Sequence, residues 1–142
     1  MARDEEKYID DQDVYNKELL DHLLLENDID AFREEFLSMH TYEQSEYFED
    51  SDDDIRHKMY QLLSPKEVAD FFDQLELDDD DYDDVFDQMK ASYAAHILED
   101  MSYDNAVDIM SHLNKSKIAT LLALMNKEDA KEIKALLHYE ED

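Results

Sequence analysis

Two aspartates, Asp104 and Asp108, lie four residues apart in the segment DNAVDIM. On a helix, this spacing places both carboxylates on one face, with about 5–6 Å between their Cβ atoms. Mg²⁺ takes oxygen ligands, keeps several waters and typically uses one or two carboxylates, so the pair could bind a hydrated ion weakly. A plainer interpretation stands beside it. Asp104 follows the capping residue type Ser102, and the helix dipole alone favours an acid in the first turn.

Two acidic runs, residues 49–54 and 77–84, invite a calcium interpretation. An EF-hand loop needs glycine at its sixth position, and the chain contains no glycine. Helix capping and diffuse counterion binding explain these acids better. The six histidines show no zinc spacing, cysteine is absent, and no serine lies in a nucleophile elbow. We therefore expect neither a zinc site nor an enzyme.

The segments that carry these acids form a repeat. Apolar residues recur at positions 0, +3, +4 and +7, which mark one face of a two-turn helix. The starting positions advance by 12 to 14 residues, at Ile55, Val68, Tyr82, Ala94, Ala106, Ile118 and Ala130. Lys58 and Lys134 interrupt the pattern. Helices of about nine residues are unstable alone, so each must bury its apolar stripe on its neighbours.

Capping residues repeat in register with the apolar pattern. Four positions before each start stand Ser51, Ser64, Asp78, Lys90, Ser102, Asn114 and Asn126. All but Lys90 can accept hydrogen bonds from a first helical turn, and Ser64 with Glu67 forms a capping box. Upstream, residues 13–28 predict one longer helix, and residues 29–40 and 41–50 predict two less regular ones. The sequence predicts an all-α fold, a right- or left-handed superhelix (α-solenoid) of nine or ten short helices.

Composition limits the partners of this chain. Its formal net charge of −28 repels nucleic acid and anionic membrane, and favours cations or basic proteins. The longest largely apolar stretch, residues 118–125, is too short to insert across a bilayer. The absence of glycine excludes phosphate-binding loops. We expect residues 1–12 to be an acidic extension that need not be ordered, and residues 13–142 to be a single helical domain.

Several segments carry a resemblance to a known family. They are LLENDIDAFREEF, SMHTYEQSEYF, LSPKEVADFFDQL, ILEDMSYDNAVDIM and IKALLHYEED, in that order. Over residues 17–142 the chain resembles the N-terminal domain of MgtE-type magnesium transporters. Thr41 and Tyr103 stand where that family often has proline, and Asn105 replaces an acid, which removes one possible ligand. The middle domain of the flagellar motor protein FliG is built from similar repeats, but its Glu-His-Pro-Gln signature is missing here.

The resemblance implies a cytoplasmic regulatory domain of an integral membrane protein. In the family, a pair of CBS domains and a membrane pore follow, and the assembly is a homodimer. Mg²⁺ held between acidic surfaces of these parts keeps the pore closed. Asp104 and Asp108 match the first and last acids of the family's D-D-A-x-D-L-L motif. Asp73 matches the acid of an earlier L-L-E-x-L segment, and Glu99 is a further candidate ligand.

Other functions fit the same acidic surface. An acidic helical-repeat scaffold could dock a basic protein partner, a DNA-mimic inhibitor could use the charge directly, and a halophilic protein needs no partner to explain it. The sequence that follows Asp142 in the gene would separate these alternatives. CBS domains and hydrophobic spans there favour the transporter interpretation.

Overall fold

The structure, a computed structural model, describes residues 16–141, with side chains as far as residue 137. All regular structure in this range is helical, which confirms the all-α prediction and the expected number of helices. The ten helices are α1 (Lys17–Leu25), α2 (Ile29–Leu37), α3 (Thr41–Asp50), α4 (Asp53–Leu62), α5 (Pro65–Phe72), α6 (Asp81–Asp87), α7 (Ala91–Asp100), α8 (Tyr103–Met110), α9 (Lys115–Leu124) and α10 (Lys127–Glu141). None of them is long and apolar enough to cross a membrane.

Backbone contacts divide the chain into two compact units, one ending at Leu62 and the other beginning at Leu63. The predicted extension, residues 1–12, lies outside the described residues, and the single domain over 13–142 stays a prediction. In the first unit, α1 packs against α2 and α4. Its core is aromatic, because the Phe32 and Phe36 rings stack at 5.3 Å and Tyr47 meets Phe36 edge-on at 6.0 Å.

Helix α1 is shorter than the predicted segment 13–28. It begins at Lys17, because the Asn16 side chain accepts a hydrogen bond from the backbone N–H of Leu19 at 3.0 Å. It ends at Leu25, and Asn27 then adopts a left-handed conformation with φ 60°. This turn lets the N–H of Asp28 donate to the carbonyl of Leu23 at 2.9 Å. Asparagine is the usual substitute for glycine in such a helix end.

The first unit also corrects two predicted boundaries. Helix α2 ends at Leu37 rather than at residue 40, and the Ser38 hydroxyl donates to the carbonyl of Glu35. Helix α3 has its predicted bounds. Ser51 was wrongly predicted to cap α4, because its hydroxyl donates to the carbonyl of Tyr47 at the end of α3. Asp52 caps α4 instead, accepting from the N–H of Ile55 at 3.0 Å.

The second unit contains the regular part of the repeat. Here α5 packs on α7, α7 on α9, and α8 on α10. Most of the predicted apolar positions are buried, among them Val68, Phe71, Phe72, Val85, Phe86, Ala94, Ile97, Leu98, Ala106, Ile109 and Met110. In these three pairs a helix packs on the next but one, which is the stacking of the predicted α-solenoid.

Helix starts in the second unit follow the capping pattern with one exception. Ser64, Ser102, Asn114 and Asn126 each accept a hydrogen bond from the backbone N–H three residues later, at 2.8–3.4 Å. Asp78 was wrongly predicted as a cap, because α6 begins only at Asp81. The Tyr82 hydroxyl accepts from the N–H of Leu77 and donates to the carbonyl of Leu75, so this segment stays non-helical before α6.

Candidate metal-binding site

Asp104 and Asp108 are both exposed on α8, which begins at the Ser102 cap. They line a shallow depression of about 160 Å³ together with Val107 and with Leu136 of α10. The packing of α8 on α10 forms this surface. The structure therefore places the two predicted ligands side by side, at the edge of one depression.

Neither carboxylate has a hydrogen bond or an ion pair with the residues that the structure describes. Two negative charges four residues apart on one helix face repel each other. A cation between them relieves this repulsion, and two carboxylates with retained water suit Mg²⁺. Among the side chains that the structure describes, residues 16–137, no group of three or more metal-ligating His, Asp or Glu residues is brought together. Water or another molecule must then supply the remaining ligands.

Asp73 is engaged differently. It follows α5, and its Oδ1 atom accepts hydrogen bonds from the backbone N–H of Ser102 and from Nδ2 of Asn105, both at 3.2 Å. Asn105 Nδ2 also lies 3.3 Å from the carbonyl oxygen of Asp73. The carboxylate thus satisfies free donors at the start of α8. The replacement of an acid by Asn105 is explained, since an acid there could not donate to Asp73.

Glu99 has the same kind of role two repeats later. Its Oε2 atom accepts from the backbone N–H of Asn126, the cap of α10, and its Oε1 atom lies 3.0 Å from Nδ1 of His96. The Glu99 side chain is only 13% exposed. Asp73 and Glu99 therefore each join the end of one helix to the start of the third helix after it, and the structure brings neither into the depression of Asp104 and Asp108.

A second carboxylate pair was missed from the sequence. Asp83 and Asp87 on α6 both accept hydrogen bonds from the Lys117 ammonium of α9, which lies 3.0 Å from Asp83 Oδ1. The bond from Lys117 lowers the pKa of the Asp83 carboxyl. Burial alone would lower the pKa of Lys117, but its bonds to Asp87 and Asp83 outweigh burial and raise it. The charge of this pair is already partly offset by a cation from the chain itself.

Tyr103 forms a further link between helices. Its hydroxyl donates to Asp129 Oδ1 at 2.6 Å, which joins the start of α8 to the first turn of α10. This hydrogen bond, more than burial, raises the pKa of Tyr103 to about 12. Tyr103 stands where the resembling family often has proline, and the bond gives the side chain a structural role.

The fold and this surface define a class of protein, an acidic all-helical repeat domain that displays a pair of free carboxylates. The chain belongs to the family of the MgtE intracellular N domain, whose model matches residues 39–142. It is 44% identical over 124 residues to the magnesium transporter MgtE of Enterococcus faecalis (strain ATCC 700802 / V583). That alignment covers 87% of this chain and 27% of the transporter.

A solved structure agrees with the sequence match. The crystal structure of the soluble part of a magnesium transporter superposes with a TM-score of 0.82 at 44% identity. The superposition covers 87% of this chain and 48% of that one. The chain therefore corresponds to the N domain of this family and spans about a quarter of the length of the transporter that it matches. These relatives are transporters and not enzymes.

Proposed function

We propose that this chain is a cytoplasmic Mg²⁺-sensing domain that regulates the pore of a magnesium transporter. The observation that carries the proposal is the pair Asp104 and Asp108, exposed together on α8 and without a described partner. Membership of the MgtE intracellular N domain family connects this pair to magnesium transport. The partners in this proposal are a CBS-pair domain and a transmembrane domain of the same polypeptide, in a homodimer.

Electrostatic repulsion supplies the mechanism. Acidic surfaces on adjacent domains oppose a closely packed arrangement, because like charges repel across the gap. In the closed arrangement, Asp104 and Asp108 would form one wall of a site and accept hydrogen bonds from ion-bound water. Mg²⁺ held there supplies positive charge that offsets the repulsion. The balance between open and closed states shifts only by the difference in ion affinity between them.

The two other candidate ligands take a lesser part in this proposal. Asp73 and Glu99 already accept hydrogen bonds from the backbone N–H groups of Ser102 and Asn126. These bonds fix the orientation of both carboxylates, so each could offer an ion only its remaining lone pairs, in a direction set by the helix start that it holds. Asp104 and Asp108 have no such bond to lose. The isolated domain should therefore bind Mg²⁺ weakly, through one wall of the site.

Limited proteolysis of the full-length transporter over a range of Mg²⁺ concentrations tests the proposal. The double variant Asp104→Asn/Asp108→Asn should need several-fold more Mg²⁺ for the same protection, because one wall of the site loses its charge. A parallel Mg²⁺ titration of the present chain, followed by NMR chemical shifts, should show weak changes centred on α8. The same double variant should abolish those changes.

Asp30→Asn/Glu34→Gln is a matched control. These two acids are also exposed and four residues apart, on α2, so the variant removes equal charge at equal spacing elsewhere. It should leave protection unchanged. Equal Mg²⁺ dependence in the wild type and in the Asp104→Asn/Asp108→Asn variant would remove the pair from the mechanism.

The acidic scaffold is the second candidate function, and the net charge of −28 is the observation that favours it. A basic partner would bind through diffuse charge and would not distinguish the two acid pairs. If both double variants weakened the binding of such a partner equally, and neither changed the protection from proteolysis by Mg²⁺, the scaffold function would be favoured.

A further inference from the structure

Helices α9 and α10 enclose a groove of about 680 Å³ in the second unit. Its floor is apolar, and three lysines of α10 stand at its edge. The apolar lining residues are Ala119, Leu122, Ala123, Met125 and Ala130, and the basic ones are Lys127, Lys131 and Lys134. Three of the apolar residues are alanines, which allow another backbone to approach closely. This groove is separate from the depression of Asp104 and Asp108.

The outward side of α9 carries apolar residues next to polar ones in its second half. Ala119 and Ala123 are exposed, and the next residue, Leu124, is 45% exposed. An amphipathic surface helix normally directs charged or polar residues to solvent. The apolar lining of the groove and the side chain of Leu124 are thus not covered by any other described part of the chain.

The three lysines form a stripe along α10, four and three residues apart, and all are exposed. None forms an ion pair with a side chain described by the structure. Lys17, Lys66 and Lys117, by contrast, each pair with an aspartate. Like charges at this spacing disfavour an isolated helix. In a chain with 41 acids and 13 bases, such an unpaired basic stripe is an unexpected concentration of positive charge.

We propose that this groove docks an amphipathic helix of a partner protein, with its apolar face on the alanines and an acidic polar face against the lysine stripe. Helix-in-groove recognition uses apolar anchors at i, i+3, i+4 and i+7, and flanking charges set orientation. The proposed partner has the opposite charge to the one expected for the acidic surface as a whole. The inference goes beyond magnesium sensing and does not depend on it.

A second copy of the chain fits this groove poorly. A two-fold contact through the groove would bring two lysine stripes together, because such an interface pairs the same surface on both subunits. Elsewhere, two chains of charge −28 repel each other. An acidic helix of another protein meets the one basic rim described here and avoids both costs.

Fluorescence anisotropy with a synthetic probe tests the proposal. The probe is a labelled peptide of about four helical turns, with leucine on one face and glutamate on the other. The wild-type chain should bind it, and added salt should weaken the binding because charge contributes. Lys131→Glu/Lys134→Glu should weaken binding by roughly tenfold or more, through repulsion at the groove edge.

Two controls separate the groove from general charge. Lys90→Glu/Lys115→Glu changes the net charge by the same amount at exposed lysines that do not line the groove, and should leave binding unchanged. Ala123→Gln keeps the charge and adds a polar side chain to the groove, and should weaken binding several-fold. A peptide of the same composition in scrambled order, which has no apolar face, should not bind.

Three outcomes would overturn the proposal. The first is absence of binding by the wild-type chain, and the second is equal binding of the scrambled peptide. The third is sedimentation showing that the wild-type chain dimerises while Lys131→Glu/Lys134→Glu stays monomeric, which would assign the groove to a second copy. Circular dichroism of each variant confirms that a loss of binding does not reflect a loss of fold.

Discussion

Two carboxylate pairs in the second unit have the same spacing and opposite surroundings. Asp83 and Asp87 on α6 share the ammonium of Lys117, whose side chain is only 15% exposed. Asp104 and Asp108 on α8 are exposed at the edge of a depression and have no described partner. One pair belongs to the packing between helices, and the other is available to an ion from solution.

The difference shows what spacing does and does not determine. Four-residue spacing puts two acids on one helix face in both cases. Whether the pair is available depends on the facing helix, which contributes Lys117 in the first case and Leu136 in the second. Lys117 therefore acts as an internal counterion, and changes at or near it can convert one kind of pair into the other.

The largest expected effect is that of Lys117→Met. This change leaves Asp83 and Asp87 facing an apolar side chain, so their charges repel without compensation. We expect the free energy of unfolding to fall by about 1–2 kcal/mol, because charged hydrogen bonds are lost at a partly exposed site. Urea denaturation measures this loss. Added Mg²⁺ should recover part of it, since the variant now presents a second free pair.

The matched control for that variant is Asp104→Asn/Asp108→Asn. It should change the free energy of unfolding by no more than about 0.5 kcal/mol, because these exposed side chains hold nothing together. A loss as large as that of Lys117→Met would show that the two pairs do not differ in the way described.

An intermediate effect is expected from Asn105→Asp, which restores an acid where the family has one. The new carboxylate would face Asp73 and could no longer donate to it, so a third close pair would form. Loss of the hydrogen bond should reduce the free energy of unfolding by about 0.5–1.5 kcal/mol. This decrease in the free energy of unfolding should become smaller when Mg²⁺ is added during thermal or urea unfolding. Asn105→Ala removes the hydrogen bond without adding charge, and the decrease that it causes should not respond to Mg²⁺.

The smallest expected effect is the pH dependence of the contribution that Asp83 makes to the free energy of unfolding. Its carboxyl pKa is lowered below the ordinary value of 3.8 by Lys117, so the unfolded chain takes up the proton first. The stabilisation is therefore complete above about pH 5 and is lost as the pH falls through the folded-state pKa. The stability difference between wild type and Asp83→Asn should narrow over that range. In the absence of Lys117, the stability difference between Lys117→Met and the double variant Lys117→Met/Asp83→Asn should not narrow over that range.

Local signals determined much of the fold. Apolar spacing and capping residues are properties of short segments, so the helices that begin after Ser64, Ser102, Asn114 and Asn126 could be placed from the sequence. The two wrong caps have non-local or competing causes. Ser51 donates to the preceding helix, and Tyr82 holds Leu75 and Leu77, just before Asp78, in a loop.

The candidate site was less accessible to such reasoning. The sequence identified Asp104 and Asp108 as neighbours on a helix, which the structure confirms. It could not show that Asp73 and Glu99 accept hydrogen bonds from the backbone at the starts of α8 and α10. It also gave no sign that Lys117 reaches Asp83, because 34 residues separate them. Contacts of that range depend on which helices pack together, and no local pattern encodes the choice.

The use of asparagine and not glycine at the left-handed position 27 reflects a chain without glycine, and this composition restricts the unfolded state. Among the described residues, Asn27 is the one with positive φ, and no glycine is available to take that conformation elsewhere. Chains without glycine sample fewer backbone conformations before they fold, so less entropy is lost on folding. In a chain of charge −28, repulsion between acids destabilises the folded state, and the smaller entropy loss on folding offsets part of that destabilisation.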